Sequence, residues 1–357
     1  MAIGAPVEPD RRVAGRLRAA VPLIKPFAGR WEAGLVVVVV VIAVLGAATS
    51  PQFLTSTNYF NMGANVGEVA IMALPMTLII VSAEIDLSVA SILGMSSALL
   101  GVLWSAHWPM PAIFVVVALA GTAAGAFNGL LVTRLGLPSL AVTIGTLGLY
   151  RGIAVILLGA KTVSNFPAPY SGIGVNAVPH TDVPYSVAIF AVLAIVFAVV
   201  LHATPAGRAI FAMGANKEAA VFSGIRVKRI KTILFMVSGL VCALAGVLWT
   251  FRLSTAVQDN GLGEELAVVA VVLFAGVSIF GGKGSIGGVV LAVIAFGGIQ
   301  DALLLANFNQ EATGIVTGGL LLVSVFVPNA PALAGRVRMA FRARRAAVPA
   351  STKGTAP

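Results

Sequence analysis

Two carboxylates stand two residues apart in Ala83-Glu84-Ile85-Asp86-Leu87-Ser88-Val89, between long apolar stretches. An acid held inside a membrane is costly unless paired, and such acids mark proton relays and cation sites. Glu84 and Asp86 therefore admit a relay reading. The plainer reading is a turn at the membrane surface. There Asp86 or Ser88 caps the next helix, and the acids lie near lipid headgroups or pair with a neighbouring base. The sequence favours the turn.

Other polar residues interrupt the apolar segments: Asn61, Asn65, Asn128, Thr143, Thr146, Arg151, Gln300 and Asp301. Asn and Thr side chains suit the hydroxyls of a neutral polyol, and they suit hydrogen bonds between helices equally well. Asn65, Asn128, Thr143 and Thr146 are the candidates for a substrate path. Phe280-Gly281-Gly282-Lys283-Gly284-Ser285 superficially looks like a phosphate loop. The required first Gly falls at Val277, however, and Gly284 follows the Lys where Ser or Thr is needed. It reads as a tight turn, so nucleotide hydrolysis by this chain is not expected. There is no Ser/His/Asp set, glycosidase carboxylate pair or zinc-helix motif. Cys242 is the single cysteine, which excludes an internal disulfide, and His107, His180 and His202 are widely spaced. Neither an enzyme nor a metal or cofactor site is expected.

The stretch from Gly207 to Ile225 has a different character. Asn216 is a good N-cap and Gly224 is placed just past a helix end. They bound a helix of about two turns. Glu218 in its first turn complements the helix dipole. Ala219, Phe222 and Ile225 can form an apolar face. Such a helix fits a groove on a cytoplasmic partner, or lies on the membrane surface.

The elements that position these residues follow from composition. Of 357 residues, 59% are hydrophobic and 10% charged, and the mean hydropathy is +1.00. Soluble domains carry about 25% charged residues. The chain is therefore expected to be an all-α polytopic membrane protein. Ten apolar stretches qualify as spans: 31–50, 63–83, 87–105, 110–133, 138–159, 184–203, 231–252, 265–282, 285–306 and 312–328. The first is too long for a signal-peptide core and reads as a retained span. Small residues such as Ala120, Gly121, Ala124 and Gly125 suit close helix contact in lipid.

The net charge of +10 does not point to nucleic acid, because the bases flank apolar stretches. With the N-terminus in the cytoplasm, all of the 23 Lys and Arg residues except Arg151, Lys161 and Arg252 fall on cytoplasmic segments. An even number of spans with both termini inside follows. The expected organisation is a basic cytoplasmic segment over 1–30, a transmembrane domain over 31–328, and a basic, disordered cytoplasmic tail over 329–357. Residues 160–183, with Tyr170 and Asp182, form the longest outer loop. Spans two to five and seven to ten have opposite parity, as in the inverted repeats of transporters.

Three stretches carry a family resemblance. They are Glu84-Ile85-Asp86-Leu87-Ser88-Val89-Ala90-Ser91-Ile92; Phe127-Asn128-Gly129-Leu130-Leu131-Val132, with Leu137-Pro138-Ser139 through Thr146; and Gly207-Arg208, with Gly214-Ala215-Asn216-Lys217-Glu218-Ala219-Ala220 and Ser278 through Ser285. In this order and spacing, the chain resembles permease subunits of bacterial ATP-binding-cassette importers, in the ribose/xylose/arabinose-type sugar branch. The resemblance covers about 35–328. It implies a fold like the vitamin B12-type importer, located in the bacterial cytoplasmic (inner) membrane. The implied partners are a cytoplasmic ATPase that hydrolyses the ATP, a second permease subunit, identical or not, and an extracytoplasmic sugar-binding protein. It places the ATPase-coupling segment at 207–228, with Gly214, Asn216, Lys217, Glu218, Ala219, Ala220, Phe222 and Gly224. Glu84 and Ala90 depart from the glycines common in the branch, and Glu264-Glu265-Leu266-Ala267 from its usual acid pattern. Residues near Val277–Ser285 and Gln310–Gly314 look closest to rhamnose or autoinducer-2 importers, which favours a rhamnose-like cargo. The rival is a proton-coupled secondary transporter using Glu84 and Asp86.

Overall fold

A computed structural model describes residues 30–309, 311–324 and 326. The expected basic segment 1–30, apart from residue 30, and the expected tail 329–357 lie outside them, as do both termini. In chain order the helices are α1 (Arg30–Thr49), α2 (Ser56–Val81), α3 (Val89–Ser105), α4 (Met110–Arg134), α5 (Ser139–Leu158), α6 (Ala168–Val175) and α7 (Tyr185–Ala198). Then come α8 (Pro205–Ala215), α9 (Lys217–Phe222), α10 (Val227–Leu253), α11 (Glu264–Phe274), α12 (Ile286–Leu305) and α13 (Glu311–Ser324). A π-helical turn, Val199–Ala203, extends α7. Among the described residues there is no strand beyond two isolated bridges, Val163 with Ala256 and Ala177 with Pro184.

Among the described residues, seven helices are long and apolar enough to cross a membrane: α1, α2, α4, α5, α7 with its π turn, α10 and α12. Each expected span contains a helix, but α3, α11 and α13 are shorter than the roughly 20 residues that a full crossing takes. The expected span 265–282 stops at Phe274. Gly276, Gly281 and Gly282, all at positive φ, then turn the chain instead of continuing the helix.

The central element is α2. It packs against α7, α8, α10, α11 and α12. It is apolar nearly all round, and its residues from Val66 to Val81 are all buried. A helix with no polar face needs protein or lipid on every side, and here the other helices supply protein. Helices α4 and α10 pack closely along their length. Gly121, Gly125 and Gly129 recur every four residues on α4 and face Phe235, Gly239 and Ala243 of α10. A methyl at Gly125 would overlap the Phe235 carbonyl oxygen. Small residues therefore bring two backbones together, as lipid-embedded packing requires. Cys242 lies buried in this core. Large apolar side chains such as Ile156 (84% exposed), Leu119 and Ile195 cover the outside, as suits a surface that meets lipid or another apolar protein face.

At its start, α1 is held by Trp31 Nε1 donating to the Phe274 carbonyl (3.1 Å) and by Ser285 Oγ donating to Glu32 (2.9 Å). It therefore leans on the α11–α12 turn.

Candidate functional site

The turn between α2 and α3 is bonded along most of its length. Glu84 forms an ion pair with Lys231 of α10. The Ile85 N–H donates to Ser139 Oγ (3.1 Å), and the Ile85 carbonyl accepts from Thr143 Oγ1 (3.3 Å), both on α5. Asp86 Oδ1 accepts from the Ser88 N–H (3.0 Å) and hydroxyl (2.6 Å), while Oδ2 accepts from Ser238 of α10 (3.1 Å). Asn128 Nδ2 on α4 donates to Ser88 Oγ (2.8 Å), and Tyr150 of α5 donates to Asn128 Oδ1 (3.1 Å). Ser88 holds the N-cap position of α3 but spends its hydroxyl on Asp86, with no side-chain cap bond.

This arrangement ties the end of α2 to α3, α4, α5 and α10. Asp86, Ser88, Asn128 and Thr143 are completely buried, and Thr146 bonds back to the Thr143 carbonyl. Three of the four path candidates thus gather at this hub, whereas Asn65 lies near the opposite end of α2.

Behind the hub is the short-helix segment. Thr204 caps α8 by accepting from the Gly207 N–H (3.3 Å), and Asn216 caps α9 by accepting from the Ala219 N–H (2.9 Å). Gly224 follows α9 at φ +80°. Lys217, Glu218, Ala219, Val221 and Phe222 are exposed, and Phe222 is 92% exposed. Ala220 is 3% exposed and faces the chain's own core. Ile225, expected on the outer face, packs against the core, and Val221 takes that place.

Gly214, at the end of α8, meets backbone on two sides. The Gly282 N–H donates to the Val81 carbonyl (2.8 Å), and a methyl at Gly214 would overlap that same oxygen. The α2 end, the α8 end and the α11–α12 turn are therefore stacked backbone on backbone. Gly214→Ala is expected to cost about 1–3 kcal/mol, as overpacking of rigid neighbours does. A melting curve in detergent would check this; an unchanged midpoint would mean that the junction yields freely.

Two further polar contacts tie α10 and the loop after it to α2, α3 and α5. Glu68 of α2 pairs with Arg252 of α10 (2.9 Å) and is 1% exposed, and the Arg252 guanidinium lies 4.8 Å above the Trp249 ring. Arg151 of α5 donates to the carbonyls of Asn260 (2.7 Å) and Ala90 (3.3 Å), and Asn260 Nδ2 donates to Ser97 (2.8 Å). Sequence reasoning did not single out Glu68 and met Arg252 only as a base outside the cytoplasmic segments; Ser97 and Asn260 gave no sequence signal. Among the described residues, no group of three or more His, Cys, Asp or Glu side chains is placed to hold a metal ion.

At the end of α2 remote from Gly214, a cavity of about 320 Å³ opens between α2, α11, α12 and α13. Its lining includes Asn65, Glu264, Gln300, Asp301, Phe308 and Asn309. Asn58 at the start of α2 donates to Asp301 and to the Phe53 carbonyl (3.1 Å).

The family described as the branched-chain amino acid transport system / permease component matches residues 58–325, which include the hub, the short-helix segment and the cavity. The chain belongs to this family. It is 32% identical over 303 residues to the autoinducer 2 import system permease protein LsrD of Escherichia coli, covering 83% of this chain and 91% of that one. LsrD of Shigella flexneri matches to the same extent. The ribose import permease protein RbsC of Haemophilus influenzae is 32% identical over 305 residues, or 84% and 93% of the two chains. No solved structure matches significantly. The chain is a permease component and a multi-pass protein of the cytoplasmic membrane, not an enzyme. As such, it needs surfaces for a motor and for a cargo. The exposed face of α9 and the remote cavity lie at opposite ends of the same helices.

Proposed function

We propose that this permease component forms the membrane path of an ATP-driven importer for a neutral monosaccharide, with α9 docking on a separate ATPase. The observation that carries the reading is the presentation of Phe222: an aromatic ring almost wholly exposed on a capped helix among Lys217, Arg226, Lys228 and Arg229. An exposed ring beside charges is out of place in lipid and in free water, but it suits an anchor in a partner's groove. The segment 207–228, with Gly214, Asn216, Lys217, Glu218, Ala219, Ala220, Phe222 and Gly224, is the coupling element. Within it, Ala220 and Gly214 hold the helix in place and the exposed residues make the contact.

The wider reading has ten spans, both termini inside, a vitamin B12-type arrangement around a central α2, two permease subunits and an extracytoplasmic sugar-binding protein. The basic end around α8–α10 faces the cytoplasm by the positive-inside rule. ATP-driven closure of the partner would move α9 as a rigid body and alter which side the path faces. Asn65 belongs to the cargo path. Asn128, Thr143 and Thr146 serve it through the hub that positions α3, α4 and α5.

The relatives are named for autoinducer 2 and ribose import. Rhamnose finds no support among them, so D-ribose and autoinducer 2 become the first cargoes to test. Proton coupling through Glu84 and Asp86 is not favoured, since Lys231, Ser88 and Ser238 already occupy those acids. Uptake of labelled D-ribose, autoinducer 2, L-rhamnose and L-leucine would be compared in cells with and without the gene. One of the first two is expected to depend on the gene. Gene-dependent uptake of L-leucine alone would contradict the proposal.

A further inference from the structure

The remote cavity combines features that together specify a ligand class. Asn65 and Gln300 line it, and neither side-chain amide has a hydrogen-bond partner among the described residues. Glu264 and Asp301 contribute carboxylate oxygens, and Phe308 contributes a half-exposed ring. No Lys or Arg is among the lining residues. A carboxylate or phosphate would meet two acids, and Arg252, the base whose charge reaches Glu264, is already paired with Glu68. A hydroxyl can donate to Glu264 or Asp301 and can exchange bonds in both senses with the two amides. The ring offers an apolar surface to the C–H face of a sugar. The volume is near the lower end of ligand cavities, about 300–1,000 Å³, which suits a single sugar ring.

We infer that this cavity is a binding site for a neutral monosaccharide on the permease, with Asn65 and Gln300 bonding its hydroxyls and Phe308 packing on its face. The inference rests on the proposed sugar cargo and adds its location.

The walls also connect the site to the coupling end. The same α2, α11 and α12 that line the cavity meet at the opposite end, where Gly282 bonds Val81 beside Gly214. Displacement of the α8–α9 segment therefore bears on the helices that shape the sugar site. Gln300 and Asn65 are specificity-determining contacts in this scheme. Asp301, held by Asn58, fixes the relation of α12 to the start of α2.

The test uses the full transporter in cells. Uptake kinetics for D-ribose, autoinducer 2 and L-leucine are measured for wild type, Asn65→Leu, Gln300→Leu and Phe308→Ala. For the sugar that wild type carries, each variant is expected to raise KM about tenfold, the equivalent of one lost hydroxyl bond or ring contact. The amount of ATPase recovered with the permease should stay near wild type. An independent readout labels Asn65→Cys with a membrane-impermeant maleimide. The native Cys242 is buried, so the introduced thiol is the reactive one. D-ribose or autoinducer 2, whichever is carried, should slow that labelling and L-leucine should not. Unchanged KM in all three variants together with no protection would overturn the site while leaving the importer reading intact. A wild-type chain that carries neither sugar would remove the importer reading, and this site with it.

Discussion

Phe222→Ala is expected to abolish most ATP-driven uptake while leaving the permease folded and in the membrane. The side chain is 92% exposed, so removing it costs the fold almost nothing. If it anchors the ATPase, its loss falls in the range of aromatic interface hot spots, about 2 kcal/mol or more, roughly thirtyfold in affinity. Ala219→Arg, also at an exposed position, should weaken the contact by adding bulk and charge. Ala220→Arg is a poorer probe, since burying an unpaired charge at a 3% exposed position would damage the segment itself. Recovery of the ATPase with tagged permease, measured beside uptake, separates the cases. Normal recovery and normal uptake for Phe222→Ala and Ala219→Arg together would remove α9 from the interface.

The second large effect is expected at Asp86. Asp86→Ala leaves the Ser88 N–H, the Ser88 hydroxyl and the Ser238 hydroxyl without their shared acceptor in a fully buried place. Each stranded buried donor costs about 1–3 kcal/mol, and together a loss of about 3–5 kcal/mol is expected. The hub holds the ends of α3, α4, α5 and α10, so the damage should be global: a lowered melting midpoint and poor recovery from membranes. Asp86→Asn is the informative companion. Its oxygen can still accept from Ser88, and its amide can donate to Ser238, whose hydroxyl can turn to accept. Transport should survive in Asp86→Asn with a modest loss of stability. A proton relay would behave oppositely: Asp86→Asn would be stable and inactive.

Much of this arrangement was legible in the residues. Asn216 and Gly224 announced the ends of α9 because caps and positive-φ glycines are local chemistry. The apolar runs announced the helices, and glycine spacing on α4 announced close packing. Length was less legible. The Gly276–Gly284 turn ends α11 at Phe274, although apolar residues continue beyond it. Partnerships across the chain were not legible at all. Glu84 finds Lys231 at a separation of 147 residues, and Asn58 finds Asp301 at 243. Polar residues within spans also looked alike in the sequence. The fold divides them, placing Asn128, Thr143 and Thr146 in a saturated network and leaving Asn65 and Gln300 open to a cavity. Which face of Ala219–Ile225 is presented depended on Ile225 joining the core, a tertiary effect that helix periodicity does not contain.

The most direct test of ATP-driven sugar import is reconstitution of the permease with its ATPase and sugar-binding protein in sealed vesicles. Labelled D-ribose and autoinducer 2 are supplied on the binding-protein side and ATP on the ATPase side, with an uncoupler present. The account predicts accumulation of one of these two cargoes that requires ATP, persists with the proton gradient collapsed, and is lost with Phe222→Ala. Accumulation driven by an imposed proton gradient without ATP, and insensitive to Phe222→Ala, would contradict it.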